Sequence, residues 1–163
     1  MRRLRERTGG EGRPDAPQGR HPDNSSARPG EVSSISASVT FEDGKTDLSA
    51  SGRSTIADMT SKVKDQRWVV EIRGHAGPLE TLGNVDRAFA LSFERAMNVA
   101  RAMVAQGARW EQLRVVAAGD KERLVPRTFS RDQDRTNQRV EIIQTQVPVP
   151  PDPYSRQSSA GDE

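Results

Sequence analysis

The chain has 163 residues, which is enough for one domain with flanking segments, and its 25 basic and 23 acidic residues leave a formal net charge of +2. Such a balance does not indicate a nucleic-acid-binding protein, for which a strongly basic surface is expected. The absence of cysteine excludes a disulfide framework, a thiolate nucleophile and a cysteine-based zinc site. No apolar run approaches the roughly 18 residues that a membrane-spanning helix requires.

Proline divides the chain into three parts. Eight of the ten prolines lie in residues 1–31 or 145–163, where apolar residues are too few to form a packing face. We therefore predict a disordered arm over 1–31, a folded domain over 32–146 and a disordered proline-rich tail over 147–163. The first residues resemble the basic start of a signal peptide, but no apolar stretch follows them. We thus expect either a cytoplasmic protein or a chain that has lost an upstream segment.

Hydrophobic periodicity in the middle of the chain predicts alternating strands and helices. The strands are expected at residues 35–41, 67–73, 113–118 and 138–144. The helices are expected at residues 49–65 and 86–106, with a further short helix within 127–137. Gly74 should end the second strand, and residues 75–85 should form a loop.

This order of elements, β-α-β-α-β-(α)-β, predicts the fold class. It is typical of an α/β (α+β) two-layer sandwich with the helices on one face of a small mixed sheet. The expected core includes Trp68, Ile72, Val99 and Val116.

One charged residue lies on the apolar face of the long predicted helix. Leu91 and Val99 define this face, and Arg95 lies between them. Because an unpaired buried charge is costly, Arg95 either extends to water at the edge of the apolar stripe or binds an anion with its guanidinium group. His75 and Ser92 lie in no nucleophile motif, and no phosphate-binding loop is present. We therefore expect no enzyme, no cofactor and no metal site.

Three segments resemble motifs of the OmpA-like and MotB-like peptidoglycan-binding domains. VEIRGHAG at 70–77 is similar to their V-x-I-x-G-H-T-D strand and loop, and LSFERAMNVARAMVAQG at 91–107 to their L-S-x-x-R-A helix. NQRVEI at 137–142 is similar to their final strand, N-R-R-V-E-I. VTFEDGKTDLSASG at 39–52 also resembles the first strand and helix of the family, so the resemblance covers about residues 35–144.

The resemblance implies non-catalytic binding of peptidoglycan and anchoring to the cell wall. Members of the family are envelope proteins of the periplasm and outer membrane, or flagellar motor proteins, so it also implies a membrane-anchored envelope or motor partner and a homodimer. Their ligand is the diaminopimelate residue of the stem peptide, whose zwitterionic end needs a carboxylate for its ammonium group and an arginine for its carboxylate. On this resemblance the candidate ligand-binding residues are Ala76, Gly77, Leu91, Arg95, Asn137 and Arg139.

The sequence departs from the family pattern where the ammonium group would bind. Gly77 stands where the family has Asp, and Asp134 stands where it has Arg. Glu80 or Asp86 could replace the missing acid. Arg95 should bind the ligand carboxylate, so we expect Arg95→Ala to abolish binding at little cost in stability. The alternative is a degenerate domain that acts as a protein-interaction module without binding peptidoglycan. Nucleic-acid binding through the Arg-rich arm rests on one cluster and ranks last.

Overall fold

The computed structural model describes residues 35–153. The strands are β1 (Ile35–Thr40), β2 (Trp68–Gly74), β3 (Leu113–Ala117) and β4 (Arg139–Pro148). The helices are α1 (Ala50–Val63), α2 (Pro78–Thr81), α3 (Val85–Ala105) and α4 (Arg131–Arg135), with a 3-10 turn at Trp110–Gln112. The predicted arm over 1–31 and the last ten residues of the predicted tail lie outside the described residues.

The four strands form one mixed sheet in the order β1-β4-β2-β3. β4 is antiparallel to both β1 and β2, whereas β2 and β3 are parallel. A parallel pair needs a crossover connection, and α3 provides it. The helices α1 and α3 pack on the sheet and on each other. The predicted two-layer α/β sandwich is thereby confirmed.

The hydrophobic core lies between α1, α3 and the face of the sheet that they cover. Its buried members are Val39, Phe41, Ile56, Met59, Val63, Val70, Ile72, Ala96, Val99, Ala100, Met103, Ala108, Val140 and Ile142. The helix residues recur at intervals of three or four, as one apolar helix face requires.

Two of the four predicted core residues are wrong. Trp68 and Val116 are only half-buried, whereas Ile72 and Val99 are fully buried. The parallel register pairs Val116 with Arg73, on the face of the sheet away from the helices, so the core side of β3 carries other residues. Trp68 begins β2, and its ring packs against the guanidinium group of its neighbour in sequence.

The sequence predicts that the second strand stops before Gly74, and the structure ends it one residue later, with Gly74 as the last paired residue. A Cβ atom at this position would lie 2.8 Å from the carbonyl carbon of Ser92 on α3 and still closer to its oxygen. Glycine is therefore required because the helix backbone passes close to the strand.

The chain also differs from prediction in two segments. Pro78 begins α2 inside the predicted loop, at a helix position where proline is favoured. β4 continues to Pro148, two residues beyond the predicted end of the domain, and the amide of Val149 still donates to the carbonyl of Arg67 at 2.8 Å. None of the helices within 35–153 combines the length and apolar character needed to cross a membrane.

Candidate functional site

Arg95 and Glu80 form a buried ion pair at the end of the sheet where β1 and β2 finish. Nη1 of Arg95 donates to Oε1 of Glu80 at 2.6 Å, and Nη2 donates to Oε2 at 2.7 Å. Both side chains are fully withdrawn from solvent. The two parallel bonds use the planar fork of the guanidinium group, the same feature that would bind a ligand carboxylate.

The other donors of Arg95 are also occupied, by backbone carbonyls. Nε donates to the carbonyl of Lys45 at 2.8 Å, Nη1 to that of His75 at 3.2 Å and Nη2 to that of Glu42 at 3.1 Å. All five N–H groups of a guanidinium thus have acceptors within the protein. The expectation that Arg95→Ala costs little stability does not fit this geometry, because the substitution removes the cation that pairs with the buried Glu80 carboxylate. The amides of Gly44 and Gly77 would still donate to that carboxylate, but neither carries a charge.

Asp134 fills the space beside Gly77. Its side chain is fully buried, and a Cβ atom at Gly77 would lie 2.6 Å from its Cγ. Oδ2 accepts from the amides of Leu79 at 3.0 Å and of Glu80 at 3.3 Å, while Oδ1 accepts from Oγ1 of Thr128 at 3.2 Å. Sequence reasoning recorded Asp134 only as a departure from the family pattern. The signal that it missed was that positions 77 and 134 depart together.

Asn137 and Arg139 hold the loop that follows β3 and make no bond to Arg95. Oδ1 of Asn137 accepts from the amides of Leu124 and Val125, at 2.9 and 3.0 Å. Nη2 of Arg139 donates to the carbonyl of Glu122 at 3.2 Å. Since both side chains are almost fully buried, their observed contacts fix this loop rather than open a binding surface.

The remaining candidate residues fall into two groups. Ala76 and Leu91 pack with Ala88 in a small apolar cluster next to the ion pair. Asp86 lies exposed in the first turn of α3, and no hydrogen bond or ion pair in the described part of the chain joins it to Arg95. Of the two acids that the sequence offered, the fold brings only Glu80 to Arg95.

His75 and Glu141 connect β2 to β4 on the far side of the same sheet end. Nε2 of His75 lies 3.1 Å from Oε2 of Glu141, and the imidazole is almost fully buried. This hydrogen bond, and after it the charge of Arg139, lower the pKa of Glu141 to about 2 against the effect of burial, which raises it.

A second set of charges lies on the sheet face that the helices leave uncovered. Glu71 accepts from Nε of Arg73 at 2.8 Å and from Nε of Arg114 at 3.0 Å. Burial raises the pKa of Glu71, but the hydrogen bonds and charges of the two arginines outweigh it and hold the pKa below its usual range. These ion pairs satisfy charges that the sheet would otherwise bury unpaired.

Ser92 and His75 do not form a nucleophile and base. Oγ of Ser92 donates to the carbonyl of Phe89 at 2.9 Å and accepts from the amide of Gly119 at 3.1 Å. Within residues 35–153 no group of three or more His, Cys, Asp or Glu side chains is arranged to hold a metal ion.

An open hollow of ≈ 450 Å³ lies on the outer side of the loop between β1 and α1. Phe41, Glu42 and Lys45 line it, together with Arg135 from α4. Two of these residues, Glu42 and Lys45, also provide the carbonyls that bind Arg95. The same loop therefore lines the hollow and contacts the buried ion pair.

The fold and the site together define an α/β sandwich domain with a buried arginine–carboxylate pair at one end of its sheet. The family model described as the OmpA family matches residues 40–138, more than half of the chain. The chain belongs to the OmpA family. No curated protein sequence matches it.

Three solved structures illustrate the likeness. The OmpA-like domain of FopA1 from Francisella tularensis subsp. tularensis SCHU S4 has 25% identity and a TM-score of 0.61, covering 74% of this chain and 81% of that one. The peptidoglycan-associated lipoprotein from Burkholderia pseudomallei has 18% identity and a TM-score of 0.60, covering 66% and 88%. The periplasmic domain of Helicobacter pylori MotB has 17% identity and a TM-score of 0.56, covering 66% and 69%. At these lower identities, the likeness to the last two structures shows the fold alone.

Proposed function

We propose that this chain binds peptidoglycan without catalysing a reaction and so attaches to the cell wall in the envelope. Membership of the OmpA family supports this proposal, as does the likeness to a structure named as a peptidoglycan-associated lipoprotein. The observation that carries it is the position of Arg95, which extends inward from α3 at the place where the family resemblance puts the ligand-binding arginine.

Binding at Arg95 requires an exchange of partners, because Glu80 occupies its fork. A ligand carboxylate that displaced Glu80 would leave the buried Glu80 carboxylate without a cationic partner, which costs several kcal/mol. An ammonium group on the same ligand removes this cost by binding Glu80. A zwitterion therefore keeps every charge paired before and after binding, and the free end of diaminopimelate is such a group. Glu80 would thus bind the ammonium group, which Gly77 cannot do because it has no side chain.

Co-sedimentation of the full chain with purified diaminopimelate-type sacculi tests this proposal. We expect the chain to pellet, and free meso-diaminopimelate to release it into the supernatant. Pimelate is the matched competitor, since it has the same carbon chain and both carboxylates but no ammonium groups. Pimelate should release far less protein, because it supplies no cation for the Glu80 carboxylate that it displaces from Arg95. Failure of the folded chain to pellet would overturn the proposal.

The variant Glu80→Gln tests the exchange itself. It keeps the size of the side chain and removes the charge, so we expect about 10- to 150-fold weaker binding to sacculi, equivalent to the loss of one charge-assisted partner. Glu94→Gln, on the exposed face of α3, is the matched control and should bind like the unaltered chain. Thermal unfolding of both variants separates a loss of binding from a loss of fold. Equal binding by both variants would exclude Glu80 from the site.

A specific observation favours a second candidate, a protein-interaction domain that does not bind peptidoglycan. Arg95 is fully buried and its five donors already have partners within the protein. If this arrangement is permanent, the site is closed to any ligand. A folded chain that neither pellets with sacculi nor shows a change in melting temperature with millimolar meso-diaminopimelate supports this second candidate.

A further inference from the structure

The helix α2 lacks a capping side chain of its own. Gly77 is the residue before its first turn and has the extended backbone, φ −87° and ψ 144°, that such residues adopt. A Ser, Thr, Asp or Asn there normally accepts a hydrogen bond from the second or third amide of the helix. Glycine cannot do so. One of the two hydrogen bonds of a capping box is nevertheless present, since Oε1 of Glu80 accepts from the amide of Gly77 at 2.7 Å.

The hydrogen-bond acceptor that Gly77 lacks is supplied by α4. The second and third amides of α2 belong to Leu79 and Glu80, and both donate to Oδ2 of Asp134, at 3.0 and 3.3 Å. Asp134 lies on α4, 54 residues after Glu80. Its carboxylate thus makes the hydrogen bonds that an aspartate at position 77 would make.

The carboxylate of Asp134, where it lies in the structure, leaves no room for a side chain at position 77. A Cβ atom at Gly77 would lie 2.6 Å from Cγ of Asp134, closer than real Cβ contacts allow. Asp134 is not free to move aside, because Oδ1 also accepts from Thr128 and Oδ2 lies 3.3 Å from Nε2 of Gln138. The pocket beside α2 therefore holds one carboxylate, from one position or from the other.

We propose that Asp134 is a positioning residue that caps α2 from α4, and that positions 77 and 134 form an exchangeable pair sharing one carboxylate. The cap fixes the backbone of Glu80, whose side chain binds Arg95. Asp134 therefore orients the buried ion pair without touching Arg95. The capping carboxylate that position 77 lacks is thus supplied by α4, whereas the ligand-binding role proposed above belongs to Glu80.

A cycle of four full-length proteins tests this proposal: the unaltered chain, Asp134→Ala, Gly77→Asp and the double variant. Each single change should raise the unfolding equilibrium constant about 5- to 150-fold, through unpaired amides in one case and a steric and charge conflict in the other. The double variant should be more stable than either single variant, since an aspartate at 77 then reaches the same two amides. The proposal would be overturned if the increase in the unfolding equilibrium constant of the double variant equalled the product of the two single increases.

Two further variants keep the test decisive if Asp134→Ala does not fold. Asp134→Asn retains an oxygen that can accept from the amides and should lose less stability than Asp134→Ala. Asp132→Ala, on the exposed side of the same short helix, should leave stability unchanged. Equal losses for Asp134→Asn and Asp132→Ala would contradict the capping role.

Amide hydrogen exchange gives a readout that general destabilisation would not produce. The amides of Leu79 and Glu80 should lose protection selectively in Asp134→Ala, and to a smaller extent in Asp134→Asn, relative to the core amides of Ile72 and Val99. They should regain protection in the double variant of Asp134→Ala and Gly77→Asp. Uniform loss of protection would overturn the local role. No peptidoglycan enters these measurements, so their failure is independent of any failure of the proposed wall binding.

Discussion

Glu80 on α2 and Arg95 on α3 share two parallel hydrogen bonds of 2.6 and 2.7 Å, and neither side chain is exposed to solvent. A pair of this kind contributes little net stability compared with apolar residues of similar size, but loss of one partner strands the charge of the other. The pair is therefore both the candidate ligand site and a structural contact. Measurements of binding at Arg95 need a measurement of stability beside them.

Arg95→Ala should lower the free energy of unfolding by about 3–5 kcal/mol, because it leaves Glu80 charged and buried. Glu80→Ala should also be destabilising, since it strands the guanidinium group. The double variant should lose less than the sum of the two, because neither charge is then left alone. Urea denaturation of the four proteins measures this coupling. Strictly additive losses would mean that the two side chains do not stabilise each other.

Acid should destabilise the fold through Glu141. Its hydrogen bond with His75 and the charge of Arg139 hold its pKa at about 2, below the ordinary value of 4.5. The folded state therefore favours the carboxylate form, and this contribution is complete above about pH 4.5 and lost as the pH falls toward 2. We expect it to be worth roughly 2 kcal/mol, allowing for the partly exposed side chain.

Glu141→Gln should remove this part of the acid dependence. Urea denaturation between pH 6 and pH 2 should give a flatter decline in stability for the variant than for the unaltered chain. Glu94→Gln, at an exposed position, should retain the full decline. Parallel profiles for Glu141→Gln and the unaltered chain would contradict the assignment.

Gly74→Ala should destabilise the domain more than Gly83→Ala. The added methyl group at Gly74 meets the backbone of Ser92 on α3 and forces helix and strand apart, at a cost of about 3 kcal/mol. Gly83 has a φ of +74° but no atom within 4 Å of the added group, so only the strained backbone conformation opposes alanine there, at about 1 kcal/mol. Thermal denaturation ranks the two variants, and the reverse order would contradict the close approach of α3.

Local patterns in the sequence predicted most of the secondary structure, because each depends on neighbouring residues. The period of the apolar residues located all four strands and both long helices. The same period placed Arg95 on the inward face of α3. It failed for Val116, since a strand with apolar residues on both faces does not reveal which of them meets the helices.

The structural roles of glycine and proline are harder to predict from the sequence, because they depend on which groups lie next to these residues in space. Glycine weakens strands, which predicts that β2 stops at Gly74, and β2 does end there. The sequence pattern does not show why glycine is required at this position, which is the close approach of the α3 backbone. The sequence predicts a loop at Pro78, whereas in the structure Pro78 begins the short helix that carries Glu80.

The sequence by itself determined the order of the elements, the inward arginine and the family pattern, since these arise from spacing along the chain. Only the tertiary structure decided between Glu80 and Asp86 as the partner of Arg95, and only it revealed Asp134 as the cap of α2. The physical reason is that a buried charge is satisfied by whichever group the fold brings within hydrogen-bonding distance. Residues 54 positions apart meet there, and no local pattern records that contact.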